Sequence, residues 1–318
     1  MITQNGCYTL TMDEYHGQPT DGPSVSASGL NIILNQCPAI FFETWSGNPN
    51  RVPEKTSAAL DIGRAAHALV LGEPEFAKHF VISPYDDFRT KEARAWRDSE
   101  TRTVLKADIF ENIQTMADAQ RRAPQVARAF VDGKPEQSLI WRDAETGVWV
   151  KSRPDWLPDD PASRPVIDYK TCRSLHPRKI GADVFEYGYH VQGAIIIEGI
   201  RVVMGVEPHS LAHVVQEKSV PYLAELRMFS DEQLAFGHRE YRRALRIFAT
   251  CYEAWQAGKP PRVAWPGYSV APEYFVTPSW IAKQIEESKN GTATAPVHST
   301  ADLDRELADI DAEFFSGE

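Results

Sequence analysis

The sequence predicts an α/β protein: a central mixed β-sheet flanked by helices, with a helical N-terminal part. Runs with strand character cluster in the middle of the chain, in S-L-I-W-R (138–142), V-W-V-K-S (148–152) and V-I-D-Y-K-T (166–171). Two more follow, S-L-A-H-V-V-Q-E-K (210–218) and Y-L-A-E-L-R-M-F (222–229). Segments with helical spacing precede, separate and follow these runs, which is the α/β pattern.

Residues 1–24 are polar and turn-rich. The first helix lies in S-V-S-A-S-G-L-N-I-I-L-N-Q-C-P, with Ser26 or Ser28 as cap, Leu30, Ile33 and Leu34 as the apolar stripe, and Pro38 as the stop. The second, S-A-A-L-D-I-G-R-A-A-H-A-L-V-L-G, is capped near Thr56 or Ser57 and ends at Gly72, with Leu60, Gly63, His67 and Val70 on one face. Residues 84–106 are the most basic part of the front half. There Arg89, Lys91, Arg94, Arg97 and Arg102 alternate with Phe88 and Trp96, which suits phosphate contacts beside a stacking surface, and equally a solvated helix face.

A helix over residues 107–131 leads to a β-hairpin whose A-E-T-G turn joins the first two strand runs. On its second strand Trp149, Lys151, Arg153 and Asp155 share a parity, which sets two cations beside an acid. Glu136, just before the hairpin, is a candidate outer carboxylate. Beyond V-I-D-Y-K-T, a helix from Asp183 to Val203 is apolar nearly all round and is expected to be buried against a sheet. Tyr189 and Gln192 near its start then need polar partners. The long helix Asp231–Gln256 carries an apolar stripe (Leu234, Tyr241, Leu245, Phe248, Tyr252, Trp255) and arginines expected to face outward (Arg239, Arg242, Arg243, Arg246). W-P-G-Y-S-V-A-P-E-Y-F-V-T-P-S-W reads as extended. From Glu287 a linker leads to an acidic terminal helix ending in Phe314-Phe315, a solubilising tail more readily than a docking segment. The expected division is a domain over 1–285 and a flexible acidic C-terminal tail over 286–318.

The net charge of −10 does not exclude a nucleic-acid partner, because from Ala301 onward seven acids oppose one arginine and the body is only mildly acidic. Cys7, Cys37, Cys172 and Cys251 form no C-x-x-C pair, so neither a disulfide framework nor a zinc site has a signature, and reduced thiols in a cytoplasm are expected. No leader pattern and no membrane-length apolar run is present.

The chemistry concentrates in K-S-R-P-D-W-L-P-D-D-P-A-S-R-P-V-I-D-Y-K-T (151–171). In a strand, Val166, Asp168 and Lys170 leave one face at intervals of about 6–7 Å, while Ile167 and Tyr169 face the other way. Asp155 ends the preceding run, where its carboxylate can be brought beside that of Asp168. Two converging carboxylates repel, and a hard divalent cation resolves the conflict. Alone, an acid and a lysine two residues apart are as readily a surface ion-pair ladder.

Four segments occur in order: G-R-A-A-H-A-L-V-L-G (63–72), K-S-R-P-D-W (151–156), I-D-Y-K-T (167–171) and Y-H-V-Q-G-A (189–194). Together they resemble the PD-(D/E)xK nuclease superfamily, with its restriction-endonuclease-like core. The helix histidine and the R-P-D-W-L context resemble the exodeoxyribonuclease VIII type of phage and prophage recombination exonuclease. The resemblance implies that Asp155 and Asp168 ligate a divalent metal, with His67 and the carbonyl of Tyr169 completing the shell. It implies that Lys170 orients or deprotonates the attacking water, and that Gln192 with Tyr189 positions that lysine and the substrate. Arg64, Arg89, Lys91, Arg94, Lys151 and Arg153 are the expected phosphate contacts.

The implied activity is Mg²⁺-dependent hydrolysis of linear double-stranded DNA, with Mn²⁺ substituting. Digestion runs 5′ to 3′ from DNA ends, in a homo-oligomer, and supplies 3′ single strands to an annealing protein. No membrane partner is expected. Two departures stand out: Ile196 occupies a position where relatives carry tyrosine, and Cys251 alone in the back part implies no iron–sulfur cluster. The competing readings are an endonuclease or spacer-processing nuclease of a defence system, and a non-catalytic DNA-binding protein of the same fold.

Overall fold

The computed structural model describes residues 1–51, 58–268 and 279–289. Met1–Tyr268 form one compact unit. Strand β1 (Gly6–Tyr8) leads to helix α1 (Met12–His16), which is closed by a reciprocal Thr11–Glu14 capping box. Strand β2 (Ser24–Ser26) runs directly into α2 (Ala27–Asn35), and Ser26 takes the cap position. Pro38 both ends that helix and opens α3 (Pro38–Thr44), where its missing N–H costs nothing. Helix α4 (Ala58–Leu71) stops before Gly72, as its sequence predicts; the expected caps at Thr56 and Ser57 lie outside the described residues.

Next come α5 (Glu73–His79), β3 (Phe80–Ile82), α6 (Lys91–Ser99) and β4 (Thr103–Leu105), with β3 and β4 paired in parallel. The helix expected over 107–131 divides into α7 (Ala107–Arg122) and α8 (Pro124–Ala127). Pro124 cannot donate to the preceding turn and disfavours helical geometry at Ala123.

Strands β5 (Gly133–Pro135), β6 (Ser138–Arg142), β7 (Trp149–Ser152), β8 (Trp156–Pro158) and β9 (Val166–Cys172) follow. The helix expected from Asp183 starts earlier and is also two, α9 (Pro177–Glu186) and α10 (Tyr189–Met204). Gly188 separates them at φ 69°, and a β-carbon there would lie 2.1 Å from Asn31 Oδ1. The unit closes with β10 (Leu211–Glu217), β11 (Ala224–Met228), α11 (Asp231–Gln256) and α12 (Pro261–Ala264).

The strands make two larger sheets. One has the order β11-β10-β9-β8-β5 and is mixed, with β9 and β10 parallel and the other pairs antiparallel. The other, β1-β6-β7-β2, contains the predicted hairpin. Strand parity on β9 is as read from sequence: Ile167 and Tyr169 pack with Ala65, Ala66, Ile113 and Met116 of α4 and α7. On the opposite side Val166 joins the core built by α10 and α11 (Val191, Ile195, Ile200, Tyr241, Leu245, Phe248). Burying each of these isoleucines stabilises the fold by roughly 1.5–3 kcal/mol.

Helices α10 and α11 approach so closely that a β-carbon on Gly237 would meet the His190 carbonyl oxygen at 2.1 Å. Gly237→Ala is therefore expected to cost about 1–3 kcal/mol, read as a lower urea midpoint at unchanged slope. The arginines of α11 are not all turned to solvent as expected. Arg242 clamps the β6–β7 turn through Asp143 and Glu145, and Arg246 joins it at Glu145, because the turn carries the complementary acids.

Ser269–Glu318 fall in a second unit, of which α13 (Ser279–Lys289) is the described element. Of the extended segment expected over 265–280, residues 269–278 lie outside the described residues, whereas Ser279 and Trp280 open α13. That helix also runs through Glu287–Lys289, where the linker was expected to begin, and the rest of the linker and the terminal helix, from residue 290, lie outside the described residues.

Candidate active site

The site is built where two strands part. Strand β8 pairs with β9 through Trp156 and Ile167, and β9 then continues through Asp168 and Lys170 with β10 on one side. The Tyr169 N–H, which a longer β8 would have engaged, donates instead to Asp155 Oδ2 at 2.5 Å. Pro154 explains the break: it has no N–H for a ladder, so β7 ends at Ser152 and the chain crosses to the other sheet at Asp155.

Glu136 sits at the companion crossover between β5 and β6, and its N–H donates to the Asp155 carbonyl at 3.2 Å. Its φ of 55° is left-handed, a conformation that costs a non-glycine residue about 1–2 kcal/mol. The two crossovers thus set two acids side by side. Helix α4 supplies the third member: His67 Nε2 lies 2.9 Å from Asp155 Oδ1 and 3.6 Å from Glu136 Oε1. One ligand atom from each of the three falls within 4.8 Å of the others.

Asp168, expected in the same ligand set, is fully buried beside this trio and engaged otherwise. Its Oδ1 accepts from Gln192 Nε2 at 2.9 Å, and its Oδ2 is 2.5 Å from Lys170 Nζ. Lys170 Nζ also lies over the Tyr189 ring, 5.4 Å from its centroid. The first turn of α10 therefore walls the acid–lysine pair with Gln192 and Tyr189, the two residues singled out in its sequence. On the other face of β9, the Tyr169 hydroxyl donates to Gln216.

The charges of the group are tightly linked. Burial pushes Asp168 up to about 6, with Asp155 adding to the rise and Lys170 opposing it. Burial also raises Asp155, but His67 and Lys170 outweigh it and leave that carboxyl low. Burial lowers His67, yet Asp155 and Glu136 overcome it and bring the imidazole to about 9. Burial likewise lowers Lys170 and is outweighed by the two aspartates, so its pKa is raised.

The donor set fits a hard divalent ion: one imidazole nitrogen and two or three carboxylates that hold one another's charge only by borrowing His67 and Lys170 as counter-ions. His67 must shed its proton to become a ligand. Between about pH 6 and pH 9 the affinity for Mn²⁺ is therefore expected to rise about tenfold per pH unit, with about one proton released per ion. Calorimetric titration in buffers of different ionisation enthalpy measures this, and an affinity flat across that window would remove His67 from the ligand set.

A cavity of about 960 Å³ opens over the cluster, lined by His67, Glu136, Lys170, Tyr189, Arg64 and, further along, Arg173 and Lys218. Arg64 is thus where a phosphate contact was expected. Arg89, Lys91 and Arg94 are exposed on or beside α6 and are not among the lining residues.

Lys151 and Arg153 do not face the cavity as expected. The Lys151 ammonium is buried and donates to the carbonyls of Tyr15 and Gly17, each at 2.6 Å. Arg153 is buried across the Tyr15 ring and bonds Ser138 Oγ, the Leu10 carbonyl and Glu136 Oε2. The parity argument that grouped them with Asp155 fails at Pro154. Arg153 instead orients Glu136 and ties it to the segment before α1.

Sequence reasoning missed Arg173, Lys218 and His213. The two cations follow the C-terminal ends of the parallel strands β9 and β10, where open α/β sheets place their ligands, and that position was a readable signal. His213 lies in register with Asp168 on β10, and its only mark in the sequence is a polar residue within an apolar run.

Residues 26–261 match the PDDEXK-like domain of unknown function (DUF3799). The chain belongs to this family. Pro154-Asp155 and Asp168-Tyr169-Lys170 supply the proline, acids and lysine for which such domains are named, and the mixed α/β architecture is that of the fold. Among curated proteins none matches. A solved structure of a proposed exonuclease from Eubacterium rectale aligns with a TM-score of 0.55 at 17% identity, covering 75% of this chain and 86% of that one. At that identity the likeness speaks for the fold. No described helix is long and apolar enough to cross a membrane.

Proposed function

We propose that the chain is a Mg²⁺-dependent deoxyribonuclease that degrades linear double-stranded DNA from its ends, with Mn²⁺ able to replace Mg²⁺. The observation that carries this reading is the convergence at the β8–β9 fork: His67, Glu136 and Asp155 gather around one point, with the buried Asp168–Lys170 pair beside them. A fold match alone does not require those five side chains to meet.

His67 Nε2, Asp155, Glu136, Asp168 and the Tyr169 carbonyl would hold the ion. When bound, it supplies Lewis-acid polarisation of the scissile phosphate and lowers the pKa of a water. The remaining work falls to the chain. Lys170 Nζ, the cation nearest the acids, reaches the attacking water or the phosphate oxygen and, held as an ammonium, donates a hydrogen bond there. Gln192 keeps Asp168 turned toward the ion site, and the Tyr189 face keeps Lys170 extended. Arg64, Arg173 and Lys218 line the cavity and hold the phosphates on either side.

The resemblance to exodeoxyribonuclease VIII-type enzymes and the exonuclease assignment of the E. rectale protein favour attack from ends, 5′ to 3′. Such attack leaves 3′ single strands for an annealing protein, and a homo-oligomer around the duplex suits it. Linear duplexes labelled at the 5′ or the 3′ end, with and without Mg²⁺, test the reading. Early loss of the 5′ label with closed circles left intact is expected. Cutting of closed circles would instead support an endonuclease, and tight metal binding without any nucleotide release would support a binding protein.

A further inference from the structure

His213 lies in register with Asp168 across the parallel β9–β10 pair, and both side chains are buried. Its ring is stacked on Tyr189 at 5.8 Å with a 13° tilt, and it meets Phe229 edge-on at 5.2 Å. Among the described residues its Nε2 has no hydrogen-bond partner, and it lies 3.5 Å from Asp168 Oδ2. That gap is too long for a strong hydrogen bond, and closing it by about 0.5 Å makes one.

The oxygen it faces is the one that Lys170 Nζ meets as an ion pair at 2.5 Å, without a well-aligned hydrogen bond. An ammonium has three N–H donors, so Lys170 gives up that contact only when it swings further into the cavity toward a water or a phosphate. A buried carboxylate oxygen left without a donor is strongly unfavourable, and so is a buried imidazole N–H left without an acceptor. Both deficits vanish in one move.

We propose that His213 is a positioning residue that exchanges with Lys170 at Asp168 Oδ2. When Lys170 turns toward substrate, the neutral His213 Nε2–H takes the vacated oxygen and holds Asp168 in place. No bond is made or broken beyond the hydrogen bonds. The exchange rests on geometry alone, whereas its use during turnover rests on the nuclease reading above.

The exchange is tested without metal or DNA by a double-mutant cycle on urea unfolding in chelator. Lys170→Met keeps the stem and removes the ammonium, so His213 should then be the donor for Oδ2. His213→Phe is expected to raise the unfolding equilibrium constant about tenfold more in the Lys170→Met background than in the wild type. His213→Gln, which retains a donor, is expected to recover most of that difference. Equal effects of His213→Phe in both backgrounds would overturn the exchange. If the phenylalanine variant does not fold, His213→Leu serves in the same cycle.

The turnover arm uses the end-labelled duplex: His213→Phe should lower kcat about tenfold with KM for DNA ends within about twofold, and His213→Gln should restore it. An unchanged kcat would overturn the role in turnover. An inactive wild type would overturn the nuclease reading and leave the exchange to be decided by the unfolding cycle.

Discussion

Lys170→Ala is expected to slow nucleotide release from a linear duplex by at least about 10³-fold, while the affinity for Mn²⁺ changes by no more than a few fold. Lys170 is the cation that reaches both the buried acids and the cavity, being 2.5 Å from Asp168 and among the lining residues. Its loss removes the group able to address the reacting atoms but leaves His67, Glu136 and Asp155 in place. Single-turnover release rates beside Mn²⁺ titration separate the two effects. Turnover within tenfold of wild type would mean that the acid–lysine pair is a structural ion pair.

Asp155→Asn is expected to weaken the divalent ion by about 10²-fold or more, with turnover falling in proportion. Asp155 touches both halves of the site, one oxygen at His67 and the other at the Tyr169 N–H. Asparagine retains an acceptor for that N–H, so the variant should fold. The His67 pKa should drop with the loss of the neighbouring charge, and an NMR titration of the imidazole follows it. Asp155→Ala removes both partners and should also cost roughly 3 kcal/mol of stability, as breaking a buried ion pair does. Comparison of the two variants separates ion binding from folding. An asparagine variant with wild-type ion affinity would take Asp155 out of the ligand set.

The centre of the site was legible because it depends on local rules. Strand parity put Asp168 and Lys170 on one face, and helix spacing put Tyr189 and Gln192 within reach of them. The segment around Pro154 shows where such rules stop. Parity assigned Lys151 and Arg153 to the side of Asp155, but the proline breaks β7 and the chain changes sheet, so both cations turn inward. Glu136 carried only a weak signal, because its place beside Asp155 comes from two crossovers far apart in sequence. His213 was unreadable for the same reason, since its meaning arises from the register between two strands joined by a pair of helices. The split between α9 and α10 was missed because a helical pattern runs through Gly188, whose left-handed backbone resets the axis.

The positions of His67 and Lys170 have a consequence for the protein as a material. In the structure these two side chains neutralise the acids from within, so the fold does not depend on an outside ion to relieve the repulsion. Removing divalent ions is therefore expected to leave a folded, dormant molecule that can be reloaded repeatedly, its own side chains keeping the seat warm for the metal.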